Sequence, residues 1–387
     1  MDYSFSRLFI CILLSFSFYS PTLFSGEDPY LVQTIKAHKD KVNVVTFCPC
    51  GKWFLSGSDD RLLKKWESDS GQEIGEYTGH FGNIYSAIFS PDSSYIISSG
   101  HNALRLYKTD GEYINTYRGH STAIWSIVFH PYGKYFITSS FEASPRLWDV
   151  TTGNWIHRFD GHERSTLALA ISPGGNRIFT GSLDRSIRVW DFESREPIFI
   201  INQAHNGNIY DLEISPDGKI LASASEDNTV KLWDPHSGEL IRTLKGHDGD
   251  IFSLSFSQCN NFLVSGSVDQ TIKIWDLNNF KCLHTFTGHN DIVSSLSIAP
   301  NGEKLISGSY DGTVRIWELG PRLVASFYFS EEIMNDMEAS GLERERERGE
   351  SRSEFRNRAE QAVKLRKEIY NKYYNLYLER IESGKPE

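Results

Sequence analysis

The sequence predicts an all-β fold built from seven copies of one four-stranded antiparallel unit. Three observations carry this. A small residue followed by histidine recurs at Ala37-His38, Gly79-His80, Gly119-His120, Gly161-His162, Ala204-His205, Gly246-His247 and Gly288-His289, with the histidines 40 to 43 residues apart. An aromatic residue follows each at a nearly fixed distance: Trp66, Tyr107, Trp148, Trp190, Trp233, Trp275 and Trp317. Between these markers apolar residues alternate at period two, bounded by Gly, Pro, Asn and Asp, the pattern of half-buried strands and tight turns.

The fifth copy is the clearest. Ile209 to Ile214 alternates, and Ser215-Pro216-Asp217-Gly218 turns the chain. Ile220 to Ser225, Thr229 to Trp233 and Leu240 to Leu244 then read as three more strands, separated by Asp227-Asn228 and Pro235-His236-Ser237-Gly238. Pro and Gly supply the fixed or positive φ that such reversals need. A chain of 387 residues could hold two or three ordinary domains, but self-similarity at a fixed period overrides that expectation.

These repeats resemble the WD-repeat family of β-propellers over residues 30–320. In four copies the aromatic residue is Trp followed directly by Asp, at Asp149, Asp191, Asp234 and Asp276. The resemblance implies an all-β, seven-bladed β-propeller of four-stranded antiparallel blades around a central channel. It also implies a hydrogen-bonded His, Ser or Thr, Asp and Trp in each blade. Five blades keep all four: His38-Ser56-Asp60-Trp66, His162-Thr180-Asp184-Trp190, His205-Ser223-Asp227-Trp233, His247-Ser265-Asp269-Trp275 and His289-Ser307-Asp311-Trp317. A recurring His, carboxylate and hydroxyl suggests catalysis at first sight. Five equivalent sets in one molecule point instead to a structural network in which buried polar groups satisfy one another.

Blades 2 and 3 depart from the pattern. Blade 2 has His101 and Tyr107 where Asp and Trp belong; blade 3 has Glu142 for Asp and Pro145 within its third strand, which should make that strand irregular. The segment Leu31 to His38 matches Leu240 to His247, so an N-terminal strand is expected to complete the last blade and latch the ring. Leu323 to Phe327 is the rival for that place.

The family's contact face carries the loops before the first strand and the turns after the second. Two positions per blade point there. The first gives Asn43, Tyr85, Trp125, Leu167, Tyr210, Phe252 and Val293; the second gives Asp59, Phe141, Leu183, Glu226, Val268 and Tyr310. Tyr85, Trp125, Phe141, Tyr210, Phe252 and Tyr310 are therefore the candidate partner-binding residues, since exposed aromatics suit protein or peptide binding. The alternative is that these rings pack between blades. The expected function is a non-catalytic protein-interaction scaffold. The alternatives are an envelope-anchored assembly protein or an enzyme using the central channel. The sequence has no phosphate-binding glycine loop, HExxH or GxSxG, and it calls for no cofactor or metal. A net charge of -10 argues against a general nucleic-acid binder.

Of five cysteines, Cys48 and Cys50 stand one residue apart, too close to bridge easily, and no spacing resembles a zinc site. Residues 1–26 read as a signal-peptide-like segment. Arg7 precedes an apolar run from Leu8 to Phe18, Pro21 breaks it, and Ser25-Gly26 offers small residues for cleavage. The run is short for a spanning helix. Export to a bacterial periplasm or the exterior is the expectation, with a cytoplasmic location the alternative; membrane contact would come only through this segment. No Asn-x-Ser/Thr sequon occurs, which fits bacterial export better than a eukaryotic secretory route. Residues 321–387 form a tail. The run Glu343 to Arg348 alternates in sign and pairs poorly on a helix, whereas Phe355, Ala359, Ala362, Ile369, Tyr373 and Leu376 recur at helical spacing, widened by Tyr370, Tyr374 and Tyr377. This helix should dock on the propeller's side or self-associate.

Overall fold

The computed structural model of the protein describes residues 28–340 and 352–383. The signal-like segment and the run from Glu343 to Arg348 lie outside the described residues.

The fold is mostly β, in antiparallel four-stranded units. In the first, Val42–Phe47 (β2), Trp53–Ser58 (β3), Leu63–Glu67 (β4) and Glu73–Tyr77 (β5) pair in that order. Burial follows the order. β3 is almost wholly buried and β5 is largely exposed. Small residues in the second strand let the next unit approach: a Cβ on Gly57 would stand 2.6 Å from Ile84 Cγ2.

The inner strands of the later units are Ala87–Phe89 (β6), Ile124–Phe129 (β10), Thr166–Ile171 (β14), Ile209–Ile214 (β18), Ile251–Phe256 (β22) and Val293–Ile298 (β26). Each touches the next, and β26 touches β2. The core is correspondingly divided. Buried apolar clusters lie at the unit boundaries; one joins Ile306, Val314 and Ile316 of unit 7 to Val42, Val45 and Phe54 of unit 1. Side chains on three inner strands also cap backbone donors of the next. Asp211 Oδ2 and Glu213 Oε2 accept from Leu254 and Phe256 N–H (2.8 Å each). Ser253 and Ser255 do the same for Leu296 and Ile298, and Ser295 and Ser297 for Val45 and Phe47.

The N-terminal strand, Leu31–Ile35 (β1), pairs antiparallel with Val314–Glu318 (β28). The rival segment forms a helix instead, Pro321–Tyr328 (α1), with proline in its first turn where no N–H is needed. Its apolar residues Leu323 and Val324 pack on unit 7 and fit a helix face as well as a strand. Asp28 fastens the chain ahead of β1. Its Oδ2 lies 3.0 Å from His284 Nε2 and accepts from Thr287 N–H at 3.1 Å.

Three further expectations need correction. Units 3 and 4 share one hydrogen-bonded sheet, because Ser140 bridges to Thr166. Pro145 lies just before the third strand of unit 3, Arg146–Asp149 (β12), which pairs on both sides. Its missing N–H therefore falls outside the ladder. Cys48 and Cys50 form a disulfide. The turn closed by the Gly51 N–H to Cys48 carbonyl bond (2.8 Å) places their Cα atoms 5.2 Å apart, within bridging range. In units 2 and 5 the same turn pairs Ser90 with Asp92 and Ser215 with Asp217 by hydrogen bonds, so blade 1 has a covalent bond where blades 2 and 5 have a polar one.

The tail continues as Ser330–Ser340 (α2) and Arg352–Glu382 (α3). Ile369, Tyr373 and Tyr377 of α3 are buried with Phe262, Leu283 and Leu319 of units 6 and 7. Leu376 faces solvent, and Tyr377, which widened the expected stripe, takes the core position. Tyr328 and Tyr377 hydroxyls both donate to Asp276 Oδ2, and Asn278 N–H donates to Oδ1.

Candidate interaction face and its polar networks

All five expected sets are hydrogen-bonded. In the first, Trp66 Nε1–H donates to Ser56 Oγ (2.8 Å), Ser56 Oγ lies 2.7 Å from His38 Nε2, and His38 Nδ1 lies 2.9 Å from Asp60 Oδ2. The other four repeat this within 2.6 to 3.0 Å: His162-Thr180-Asp184-Trp190, His205-Ser223-Asp227-Trp233, His247-Ser265-Asp269-Trp275 and His289-Ser307-Asp311-Trp317. Neutral histidine protonated at Nδ1 satisfies every member. The indole gives to the hydroxyl, the hydroxyl to Nε2, and Nδ1–H to the carboxylate. Burial lowers the pKa of His38, His205 and His289 despite the adjacent carboxylate, which favours that neutral form. Asp227 is pushed up by burial, yet its bonds to His205 and Thr229 outweigh this and hold it well below the usual carboxylate range. The wiring matches a nucleophilic triad, but Ser56, Thr180, Ser223, Ser265 and Ser307 are 0% exposed and each already accepts an indole N–H. No substrate reaches these hydroxyls.

The departing blades differ in kind. In blade 3, Glu142 Oε2 takes the place of Asp, 3.0 Å from His120 Nδ1, and its longer arm also receives Ser121 N–H and hydroxyl. In blade 2, His80 Nε2 keeps Ser98 (2.7 Å), and burial, then Arg105, lowers its pKa to about 3. Gly100 makes room there, since a Cβ would collide with His80 Nδ1. Tyr107 donates to the Thr78 carbonyl rather than to the serine.

The candidate aromatics fall into separate groups. Tyr85 stacks on Trp125 of the next blade (5.6 Å between centroids), and Phe141 meets Trp125 edge-on at 5.5 Å. Phe141 is 44% exposed, and Phe81 on the loop before β6 is 87% exposed. Tyr210 stacks flat on Phe252 across the boundary between blades 5 and 6, at 4.6 Å and 8°. Tyr310 carries Lys41 Nζ over its ring, 4.6 Å from the centroid. So the rings do pack between blades, yet all except Phe141 are half-buried rather than enclosed. Val293 does not belong to this row. It pairs with Ser309 and is buried, as Val42 pairs with Ser58; Ser294 is the matching residue.

Seven segments, 29–67, 71–108, 111–149, 153–191, 195–234, 238–276 and 280–318, match the model of the WD domain, G-beta repeat. The chain belongs to the WD40 repeat family. Among its relatives are human serine-threonine kinase receptor-associated protein (36% identical over 69 residues, 18% of this chain and 20% of the relative) and Striatin-3 from mouse (32% over 85 residues, 21% and 11%). WD repeat and SOCS box-containing protein 1 from Takifugu rubripes is 37% identical over 83 residues, 21% of this chain and 19% of the relative. The chain thus aligns with about a fifth or less of the length of these relatives.

WD40 proteins generally act as protein-interaction scaffolds. Sequence reasoning missed two features of this WD40 chain. Phe81, exposed at the loop tip, carried a signal in its position directly after the repeat histidine. The Cys48–Cys50 bond would have shown in an alignment of the seven first turns, where Ser-Pro-Asp and Cys-Pro-Cys coincide.

Proposed function

We propose that this protein is a non-catalytic scaffold. Its β-propeller, closed by β1 on the last blade, binds protein or peptide partners on the face of the loops before the first strands. The observation that carries this reading is the aromatic row Tyr85, Trp125 and Phe141, which spans blades 2 and 3 and ends on the exposed Phe141. Large rings held in place by stacking lose little entropy on binding and bury much apolar area. Closure is supported by the pairing of β1 with β28 and by the contact of β26 with β2. Partners of the chain are proteins or peptides, with no nucleic acid among them.

The disulfide favours export as the second element of the reading, since such bonds persist in oxidising compartments. Asp28 is buried in its contacts with blade 6, so processing compatible with the fold leaves Asp28 in place. Changing Trp125 and Tyr210 to Ala is expected to abolish partner capture while thermal unfolding shifts by a few degrees at most. Capture by the variant equal to the parent's, or unfolding of the variant at working temperature, would overturn the assignment.

A further inference from the structure

In six blades one carboxylate collects the same two donors. Asp60, Glu142, Asp184, Asp227, Asp269 and Asp311 each stand within 3.0 Å of Nδ1 of their blade's histidine and accept the N–H of the residue after it. Blade 3 adds a third donor. Arg146 Nη2 donates to Glu142 Oε2 at 3.0 Å, while the guanidinium lies over the Trp155 ring, 5.4 Å from its centroid, and against Gly119.

Blade 2 has the same donors and no acid. Its turn is one residue shorter, pairs Gly100 with Ala103 and carries His101 and Asn102 at the tip. Ser98 holds His80 Nε2, but His80 Nδ1 has no hydrogen-bond partner among the described residues, although the residue is only 8% exposed. Glycine at position 100 puts no side chain over that nitrogen, where a Cβ would collide with it. Arg105 follows the path of Arg146. It lies against Gly79, with its guanidinium over the Tyr113 ring at 5.4 Å and the Phe81 ring at 5.7 Å. Unlike Arg146, it forms no ion pair with an acid among the described residues. Phe81 supplies the N–H that follows the histidine, and its ring, beside Arg105, is 87% exposed.

We propose that blade 2 binds a carboxylate in trans: an Asp or Glu side chain of a protein partner enters from the loop face, takes the place that a blade's own acid fills elsewhere, and accepts from His80 Nδ1–H, Phe81 N–H and the Arg105 guanidinium. The proposal rests on the reading that this face receives partners. Neutral His80 carries its proton at Nδ1 when Ser98 donates to Nε2, as in the other blades. A guanidinium fork matches a carboxylate, and its charge-assisted bonds are the stronger kind. A buried donor without an acceptor is costly, and the incoming oxygen removes that cost. Apolar contact with the exposed Phe81 ring is open to a partner side chain and its backbone but not to a small free anion.

The test uses the full chain and pentapeptides capped at both ends, with a central glutamate, or glutamine in its place, between glycines. Glutamine keeps the shape and removes the charge. The glutamate peptide is expected to bind roughly tenfold or more tightly than the glutamine peptide and to shift the Phe81 amide signal in NMR spectra. Arg105→Gln should remove that preference, whereas Arg146→Gln, in a blade that holds its own acid, should keep it. If Arg105→Gln does not fold, the Phe81 amide shift in the parent chain decides. Equal binding of the two peptides, no binding of either, an unmoved Phe81 amide, or an unchanged preference in folded Arg105→Gln overturns the proposal. Acetate bound as tightly as the glutamate peptide would contradict a partner side chain as the occupant. If Trp125→Ala with Tyr210→Ala loses capture of a whole partner and Arg105→Gln keeps it, the carboxylate site fails while the wider face stands. If neither loses it, both fail.

Discussion

Single hydroxyls hold together polar groups from two strands and a loop. Ser223 Oγ accepts the Trp233 indole N–H and faces His205 Nε2, all within a region closed to water. Ser223→Ala leaves the indole unpaired and the imidazole short of a partner, and should cost about 2–3 kcal/mol in denaturant unfolding. A second residue-scale expectation concerns pH. Burial raises the Asp211 pKa to about 7, while Leu254 and Leu212 N–H bonds oppose the rise. Its neighbour Glu213 is raised as well, first by burial and then by Asp211. The folded state therefore holds the Asp211 proton more tightly than the unfolded chain does. Its stability contribution is complete below the ordinary Asp pKa and is lost as pH rises toward 7. Asp211→Asn keeps an acceptor for Leu254 and removes the titration. The variant should gain on the parent as pH rises from 4 to 7, by about 2 kcal/mol, a figure discounted for the solvent the half-buried carboxyl still meets. Unfolding measured across that range checks it; a constant difference contradicts the assignment.

Among the elements, the tail helices are fastened to the β domain through Asp276. Asp276 is buried and its two oxygens receive Tyr328, Tyr377 and Asn278. Burial, then Asp276, raises the Tyr377 pKa, so the hydroxyl stays protonated as a donor. Tyr377→Phe removes one of these bonds and should cost about 1–2 kcal/mol. Removing α3 uncovers Phe262 and the apolar side of α1 and should lower the unfolding temperature markedly, as scanning calorimetry would show. The sequence made α3 legible through its three-and-four spacing, but not which side it buries, because Leu376 and Tyr377 both suit an apolar stripe. It left α1 as a rival strand, since Leu323 to Phe327 is too short for period two and period 3.6 to separate. The His, hydroxyl, acid and Trp sets were legible because five copies keep the same residues at the same separations. The stacking partners of Tyr85, Trp125 and Tyr210 were not, because they form between blades rather than within a repeat.

For the whole molecule, the ends of the β domain matter most. β1 and Asp28 join the first residues described to blades 6 and 7. Asp28→Ala should destabilise by about 2 kcal/mol through the unpaired Thr287 N–H and His284, as denaturant unfolding would show. The intact mass of the native protein, with its cell fraction, reports on export: loss of about the first 25 residues together with an oxidised Cys48–Cys50 pair is the expected result. The central claim, that partners dock on one face, is tested most directly by backbone hydrogen exchange of the protein with and without a captured partner. Protection is expected in residues 80–85, 120–125, 205–210 and 247–252, the loops and strand starts that bear Phe81, Tyr85, Trp125, Tyr210 and Phe252, and in 38–43, whose Lys41 lies over Tyr310. Protection confined to the opposite turns, such as 130–133 around the exposed Tyr132, would contradict the account.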